Sequence, residues 1–484
     1  MSPSRKPTPG KPLPRPIRPP KNVLDVAIVG GGVSGLLSAY MLTRAGHRAT
    51  IFEKAPRVGG NMLSVYFEMD GRPRFADLAV NDFNAASYTN IVALLDELGV
   101  GYRPLEDSTS YSTADGGFAY TQGRKGGPAM PAALQKEYDR FSKEAPADAG
   151  GSGAIEYAGY TVERYLAEKG YSEAFGRYNL YPRINGMYFV HDSSPATMPF
   201  LAVMQYYILQ EGLGHGAPRR MYFADGASSW SDALAKACRA TIETGVSVEV
   251  TGREDGVTVH HPGGDRRYDA AIVACHANAA LRLFRGGPAG EVASVLGAFD
   301  YYSSVGVAHT YARLLPADAR AWAAYNISVR EGEELRPYSI NYLENRHQND
   351  AANLRWDDFE TQSFFVSLNP RIPIPERHVL RTLDGSPAVA YFPHNALTFG
   401  AMDAQDRLWG NEVKKYPGVQ GRNRVFFTGG WTYEAGLQEQ CYHSADLVTK
   451  LVMGEAVDAS EHRYSTARGP EAFAPLNVRR LLEG

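Results

Sequence analysis

The sequence predicts an α/β fold: a parallel-sheet domain made of discontinuous segments, with a mixed α+β domain inserted in pieces. Three observations predict it. A strand–turn–helix–strand unit is complete within about 32 residues of position 23, strand patterns of the same kind return only near residues 270 and 425, and long Tyr-, Trp- and Pro-rich stretches lie between them. The length of 484 residues is about three times a typical domain of ~150 residues, enough for two or three domains or one large interleaved unit. The expected division places a Pro-rich basic tail at 1–22, the parallel-sheet domain at 23–100, 226–300 and 400–455, the inserted domain at 101–225 and 301–399, and a C-terminal extension at 456–484.

Residues 1–22 hold six basic residues, no acidic ones and eight prolines. Prolines occupy the place where a signal peptide needs an apolar run, so a disordered or polyproline-II tail is expected, and it is assigned no role. VLDVAIV (residues 23–29) is then a short apolar, β-branched run, as for a parallel strand covered on both faces. GGGVSG follows, and after it LLSAYMLTRAG, with Leu36, Leu37, Tyr40 and Met41 at helical spacing and Gly46 at the stop. RATIFEK gives a second strand ending in Glu53. YDAAIVACH (residues 268–276) and RVFFTGG (residues 424–430) are the later strands, and an amphipathic helix pattern follows the second.

Composition narrows the function. Cys238, Cys275 and Cys441 lie far apart without a CxxC pair, which argues against a disulfide framework or zinc knuckle, and no metal site is expected. The net charge of −3 gives no general pull toward nucleic acid. No run of about 18 apolar residues exists, so no membrane-spanning helix is expected and a cytoplasmic location is.

Gly30, Gly32 and Gly35 satisfy GxGxxG at the strand-to-helix turn. The first glycine allows the tight turn, the second admits a pyrophosphate against the backbone, and the third lets helix and strand pack closely. The helix start presents free N–H groups and its positive dipole end to the phosphates, with Ser34 as a further hydroxyl donor. Glu53 at the end of the second strand suits ribose hydroxyls and repels a 2′-phosphate, which disfavours NADP. A glycine pair, Gly59 and Gly60, lies shortly beyond it. GLGHGAP (residues 212–218) has glycines but no helix pattern after it, so no second dinucleotide motif is expected.

GxGxxG, the acid with its following glycine pair, and the C-terminal TGG segment together resemble the flavin amine oxidase and phytoene desaturase superfamily, and so imply a Rossmann-like FAD-binding domain. DFNAASYTNIVALLDELGV, ADGASSW, INYLENR, FFVSLNP, YFPH and the stretch from GVQGRNRVFFTGG to CYHSADLV are similar to a subgroup of amine oxidase-like proteins and to bacterial polyunsaturated fatty acid isomerases. The resemblance covers nearly the whole chain after the tail. It implies FAD contacts at Glu53, Lys54, Gly59, Gly60, Asn61 and Met62, adenine beside the backbone of Val248, and ribityl and ring contacts at Gly429, Gly430, Trp431, Leu437 and Gln438. Two positions depart from the superfamily pattern: Asn61 stands where Arg is frequent, and Gly430 where many relatives carry an acid. In the superfamily the last helix aims its N-terminus at the flavin pyrimidine, where its dipole stabilises negative charge in the reduced ring.

The resemblance leaves three outcomes of hydride transfer from a substrate carbon to flavin N5. These are desaturation, double-bond isomerisation without net oxidation, and oxidation of an amine or amino acid with oxygen as acceptor and peroxide as product. A non-catalytic carrier on the same fold, as in Rab GDP-dissociation inhibitors, is the alternative of another class; the intact FAD motifs oppose it. With 29 Tyr, 20 Phe and 5 Trp, an aromatic-lined pocket for a hydrophobic small molecule, acyl-like or amine, is affordable even after core packing takes most rings. Trp431 and Tyr433 are the preferred aromatic neighbours of the flavin, with core packing as the alternative for each. His443, Cys441, Glu434 and Glu439 are open between structural and acid–base roles, Arg313 and Arg346 are candidates for a substrate carboxylate, and no catalytic base is assigned.

Overall fold

In a computed structural model of the protein, residues 22–114, 116–150, 156–188, 195–212, 219–288, 290–329, 339–349, 363–410, 417–455 and 457 are described. The expectations for the tail up to residue 21, for most of GLGHGAP, and for the C-terminal extension apart from Val457 lie outside these residues.

Within the first strand, Asp25–Val29, successive side chains go to different cores. Val26 and Ile28 join one buried cluster, Ala27 and Val29 the other. A strand covered on both faces needs apolar residues at every position, which is why this one reads as an unbroken run. The first helix, Val33–Arg44, and the second strand, Arg48–Glu53, complete the unit. Ala270–Val273 pairs parallel with the first strand, and Val425–Phe427 pairs parallel with Ala270–Val273. With Thr241–Thr244 outside the second strand, the five-stranded sheet runs, in order across it, 241–244, 48–53, 25–29, 270–273, 425–427. The fold is therefore the α/β class expected, with its parallel sheet gathered from distant segments. Strand order reverses beside the first strand, so the carboxyl ends of 25–29 and 270–273 border the crevice where doubly wound sheets bind ligands.

A seven-stranded mixed sheet contains, in order, 389–395, 301–309, 365–368, 340–343, 325–328, 109–112 and 119–122. A small sheet joins 82–84, 220–223 and 102–104, and so links segments assigned above to both domains. Glu439, on the last helix Gln438–Val452, accepts the backbone N–H groups of Asn90 and Ile91 at 3.0 Å each. It thereby satisfies free donors at the start of helix Thr89–Leu98, with a carboxylate at the positive end of the dipole. Among the described residues, no helix is long and apolar enough to cross a membrane.

Candidate functional site

The turn after the first strand is held by backbone bonds and one carboxylate. Gly30 N–H donates to Phe52 O at 2.9 Å and Gly59 N–H to Gly31 O at 2.7 Å. The two oxygens of Glu53 accept Gly31 N–H and Ala55 N–H, each at 2.7 Å. Two of the motif glycines are needed for packing. Gly30 has φ +110°, and a Cβ there would lie 2.9 Å from the Ala274 backbone; at Gly35 a Cβ would lie 2.1 Å from Gly30 O. Gly32 differs, since a Cβ there would meet nothing within 4 Å. Its bare backbone opens on a cavity of about 280 Å³.

Gly32, Val33 and Ser34 form one wall of that cavity and Gly59, Gly60, Asn61 and Met62 another. The 58–62 turn is clamped from outside by Arg57, whose guanidinium donates to Val58 O at 3.0 Å, Gly60 O at 3.1 Å and Met62 O at 3.2 Å. The chain's far end supplies Gly429, Gly430, Trp431, Ala435, Gly436, Leu437, Gln438 and Cys441. There Gly436, at φ +75°, crosses so close to Gly430 that a Cβ would lie 2.1 Å from Gly430 O. This crossing brings the start of the last helix, with its free N–H groups, to the cavity.

Of the residues expected at a cofactor, Gly32, Ser34, Gly59, Gly60, Asn61, Met62, Gly429, Gly430, Trp431, Leu437 and Gln438 line this one cavity. Gly30, Gly35 and Glu53 do not line it; Gly30 and Glu53 hold the turn that carries Gly32, and Gly35 packs against Gly30. Lys54 is exposed, and Val248 is buried in the second core beside Val250 and Phe52; neither lines the cavity. Trp431 reaches the cavity edge while its Nε1–H donates to Cys275 O at 2.9 Å and its ring packs edge-on against Phe299. Of the two readings open for Tyr433 the core one describes its surroundings: it is buried with its ring beside Trp409 and His443, and it is not among the residues that line the cavity. Arg346 pairs with Glu106, and neither it nor Arg313 lines the cavity. Glu434 accepts from Gln440 Nε2 at 2.9 Å, and His443 is buried on the last helix beside Glu439.

The sequence reading missed two further walls. Ala274, Cys275 and His276 follow the strand 270–273, and Phe392, Pro393, His394 and Asn395 come from the edge strand 389–395. Burial pushes the thiols up, to about 12 for Cys275 and about 11 for Cys441, whose Sγ donates to Gly436 O at 3.6 Å. Burial pushes both imidazoles down, to about 4. This half of the cavity thus presents neutral side chains around bare backbone, without a thiolate or imidazolium. Beyond it stand Tyr88, Tyr188, Tyr206, Tyr325, Tyr342, Ile327 and Ile340, with Asp82, Arg183, Gln210, Glu211 and Arg220 among them. Burial raises each of those phenols, so all five are neutral at pH 7.

The residues present suit an extended dinucleotide. The open backbone at Gly32 admits a group that no side chain could tolerate, two helix starts face it with free N–H groups, and the Glu53 oxygens keep lone pairs beyond their two backbone bonds.

Comparison with known proteins gives a consistent result. A family model described as flavin containing amine oxidoreductase matches residues 33–354. The Mycobacterium tuberculosis protein AofH, named as a flavin-containing monoamine oxidase, is 37% identical over 92 residues, 19% of this chain and 19% of that protein. The stretches shared with the curated relatives cover about a third of those relatives or less. Among solved structures, wild-type putrescine oxidase bound to putrescine aligns with a TM-score of 0.62 at 16% identity, over 90% of this chain and 100% of that one. A fatty acid isomerase from P. acnes that produces CLA aligns with a TM-score of 0.57 at 18% identity, over 88% and 98%. At such identities these two structures share the fold.

Proposed function

Because the chain belongs to the family of flavin-containing amine oxidoreductases, and is by that membership an FAD-dependent oxidoreductase, we propose that it transfers a hydride from a carbon of an unsaturated, acyl-like or otherwise hydrophobic small molecule. The outcome is desaturation or a double-bond shift. One observation carries this reading: a single cavity runs from the glycine cradle and the start of the last helix into a chamber walled by tyrosines and isoleucines.

When bound, FAD supplies the acceptor for the hydride. The residues that would hold it are Gly32, Ser34, Glu53, Gly59, Gly60, Asn61, Met62, Gly429, Gly430, Leu437 and Gln438, and the start of the last helix favours negative charge beside it. The chain's remaining contribution is placement and dryness. The rings of Tyr188, Tyr325, Tyr342 and Phe392, with Ile327 and Ile340, offer flat apolar faces that exclude water and orient an extended chain. In the cofactor half the thiols stay protonated and burial leaves the two imidazoles only weakly basic. That suits a substrate whose C–H bond is activated by its own double bond.

Anaerobic incubation with long-chain unsaturated amides, esters and acids tests this. Turnover without loss of yellow colour marks an isomerase, and a single bleaching that oxygen reverses marks a desaturase. Peroxide release with an amine panel, and no reaction with any unsaturated compound, would replace this reading with amine oxidation.

A further inference from the structure

Two arginines and two acids share the tyrosine-walled part of the cavity, and their hydrogen bonds show what they can still accept. Asp82 is saturated. Its Oδ1 accepts Gln210 Nε2 at 2.6 Å and an Arg220 nitrogen at 2.8 Å, and its Oδ2 accepts the Tyr325 hydroxyl at 2.8 Å and His347 Nε2 at 3.2 Å. Four donors fill both oxygens, so this carboxylate has no capacity left for a ligand. Glu211 lies between the two guanidiniums, one oxygen bonded to Arg183 and the other to Arg220. Arg183 also donates to Thr109 Oγ1 at 2.5 Å. Side-chain exposure falls to 5% at Arg220 and 6% at Asp82 and reaches 13% at Arg183 and 11% at Glu211, so the last two are the more accessible to a ligand. Beside them Tyr206 lines the cavity, and its side chain makes no hydrogen bond among the described residues.

The four charges alternate as Arg183, Glu211, Arg220, Asp82 and cancel. Behind them the alternation continues: His347 lies against Glu344 at 3.9 Å, and Asp107 is 4.0 Å from Arg220 with its carboxyl pushed toward the neutral form by burial. An ammonium brought to Glu211 would have a guanidinium on either side, and a carboxylate brought to Arg183 would abut Glu211. In a dry chamber either one adds an uncompensated charge, which is costly. A neutral group that accepts from Arg183 and Tyr206, and can donate to Glu211, adds none.

We propose that this cluster is a subsite for the neutral, hydrogen-bonding end of an otherwise apolar substrate (a carboxamide or alcohol), with Arg183, Glu211 and Tyr206 as its contacts, and that it rejects both carboxylate and ammonium ends. The proposal rests on the reading that the tyrosine-walled chamber holds the substrate beside FAD.

Titrating the FAD-loaded full chain at pH 7.5 with octanamide, octanoate and octylamine, and following the visible flavin spectrum, tests it without turnover. Octanamide is expected to half-saturate the spectral change at a concentration about tenfold or more below either charged probe. Glu211→Gln leaves two guanidiniums without their shared anion, so octanoate affinity is expected to rise about tenfold; Arg183→Gln is expected to favour octylamine instead. Octanoate or octylamine binding the wild type as tightly as octanamide overturns the proposal, whether or not either variant folds. So does a yellow protein whose spectrum none of the three perturbs. The hydride-transfer reading fails separately, if anaerobic unsaturated compounds neither bleach the flavin nor isomerise.

Discussion

Gly32 and Gly35 belong to one motif but are required for different reasons. A methyl at position 35 would be driven to 2.1 Å from Gly30 O, whereas at position 32 it would project into open cavity. Gly35→Ala is therefore expected to lower folding stability by about 3 kcal/mol through overpacking, visible in the apo protein's Tm. Gly32→Ala is expected to leave the apo Tm within a degree or two and to raise the FAD Kd about tenfold or more, measured by flavin fluorescence. The motif was legible because its spacing is local, six residues that always act together. Arg183, Glu211, Arg220 and Asp82 were not. They are scattered over more than a hundred positions, and each looks like an ordinary charged side chain on a solvated face until the fold encloses it.

Among the elements, the short turn after Glu53 shows how an exposed-looking residue can set backbone geometry. Arg57 collects the carbonyls of Val58, Gly60 and Met62, so that segment is held flat against Gly31 and Gly32. Arg57→Met is expected to release it, raising the FAD Kd about five- to tenfold while costing about 1–2 kcal/mol of stability; Arg57→Lys restores one bond at most and is expected to fall between. Unchanged FAD affinity in a folded Arg57→Met protein would refute this role. The strands Asp25–Val29, Arg48–Glu53, Ala270–Val273 and Val425–Phe427, with the helices Val33–Arg44 and Gln438–Val452, were readable from period and glycine punctuation. The task of Glu439 was not readable, because the helix start it caps lies about 350 residues earlier, and no local pattern reports such a pairing.

Across the whole molecule, buried charge makes stability depend on pH. His347 is enclosed by Asp82 at 3.2 Å, Glu344 at 3.9 Å and the rings of Tyr325 and Tyr342, and against the opposing effect of burial its hydrogen bond to Asp82 and the negative charge of both acids raise it to about 9 from 6.5. A histidine raised in the folded state contributes stability that is fully present below about pH 6.5 and is lost as pH passes through 9, at most about 3 kcal/mol from a shift of this size. Raising the pH from 7.5 to 10 is therefore expected to lower the apparent Tm of the wild type more than that of His347→Gln, which keeps a donor toward Asp82 but carries no charge to lose. Equal losses in both proteins would show that the ring is already neutral. The fold class and the scattered origin of the parallel sheet were visible in the sequence. The seven-stranded sheet was not, since its short strands pair segments with nothing in composition to match them.

The strand Val425–Phe427 and the helix after it close the crevice begun by Asp25–Val29, which sets an order of events in the cell. A ribosome adding about 5–20 residues per second releases the first glycine turn long before its opposite wall exists. On the proposed cofactor site, the nascent polypeptide has no complete berth for its coenzyme until translation has passed residue 438. A chain terminated before that point is expected to purify without yellow colour, even where its earlier portion has folded.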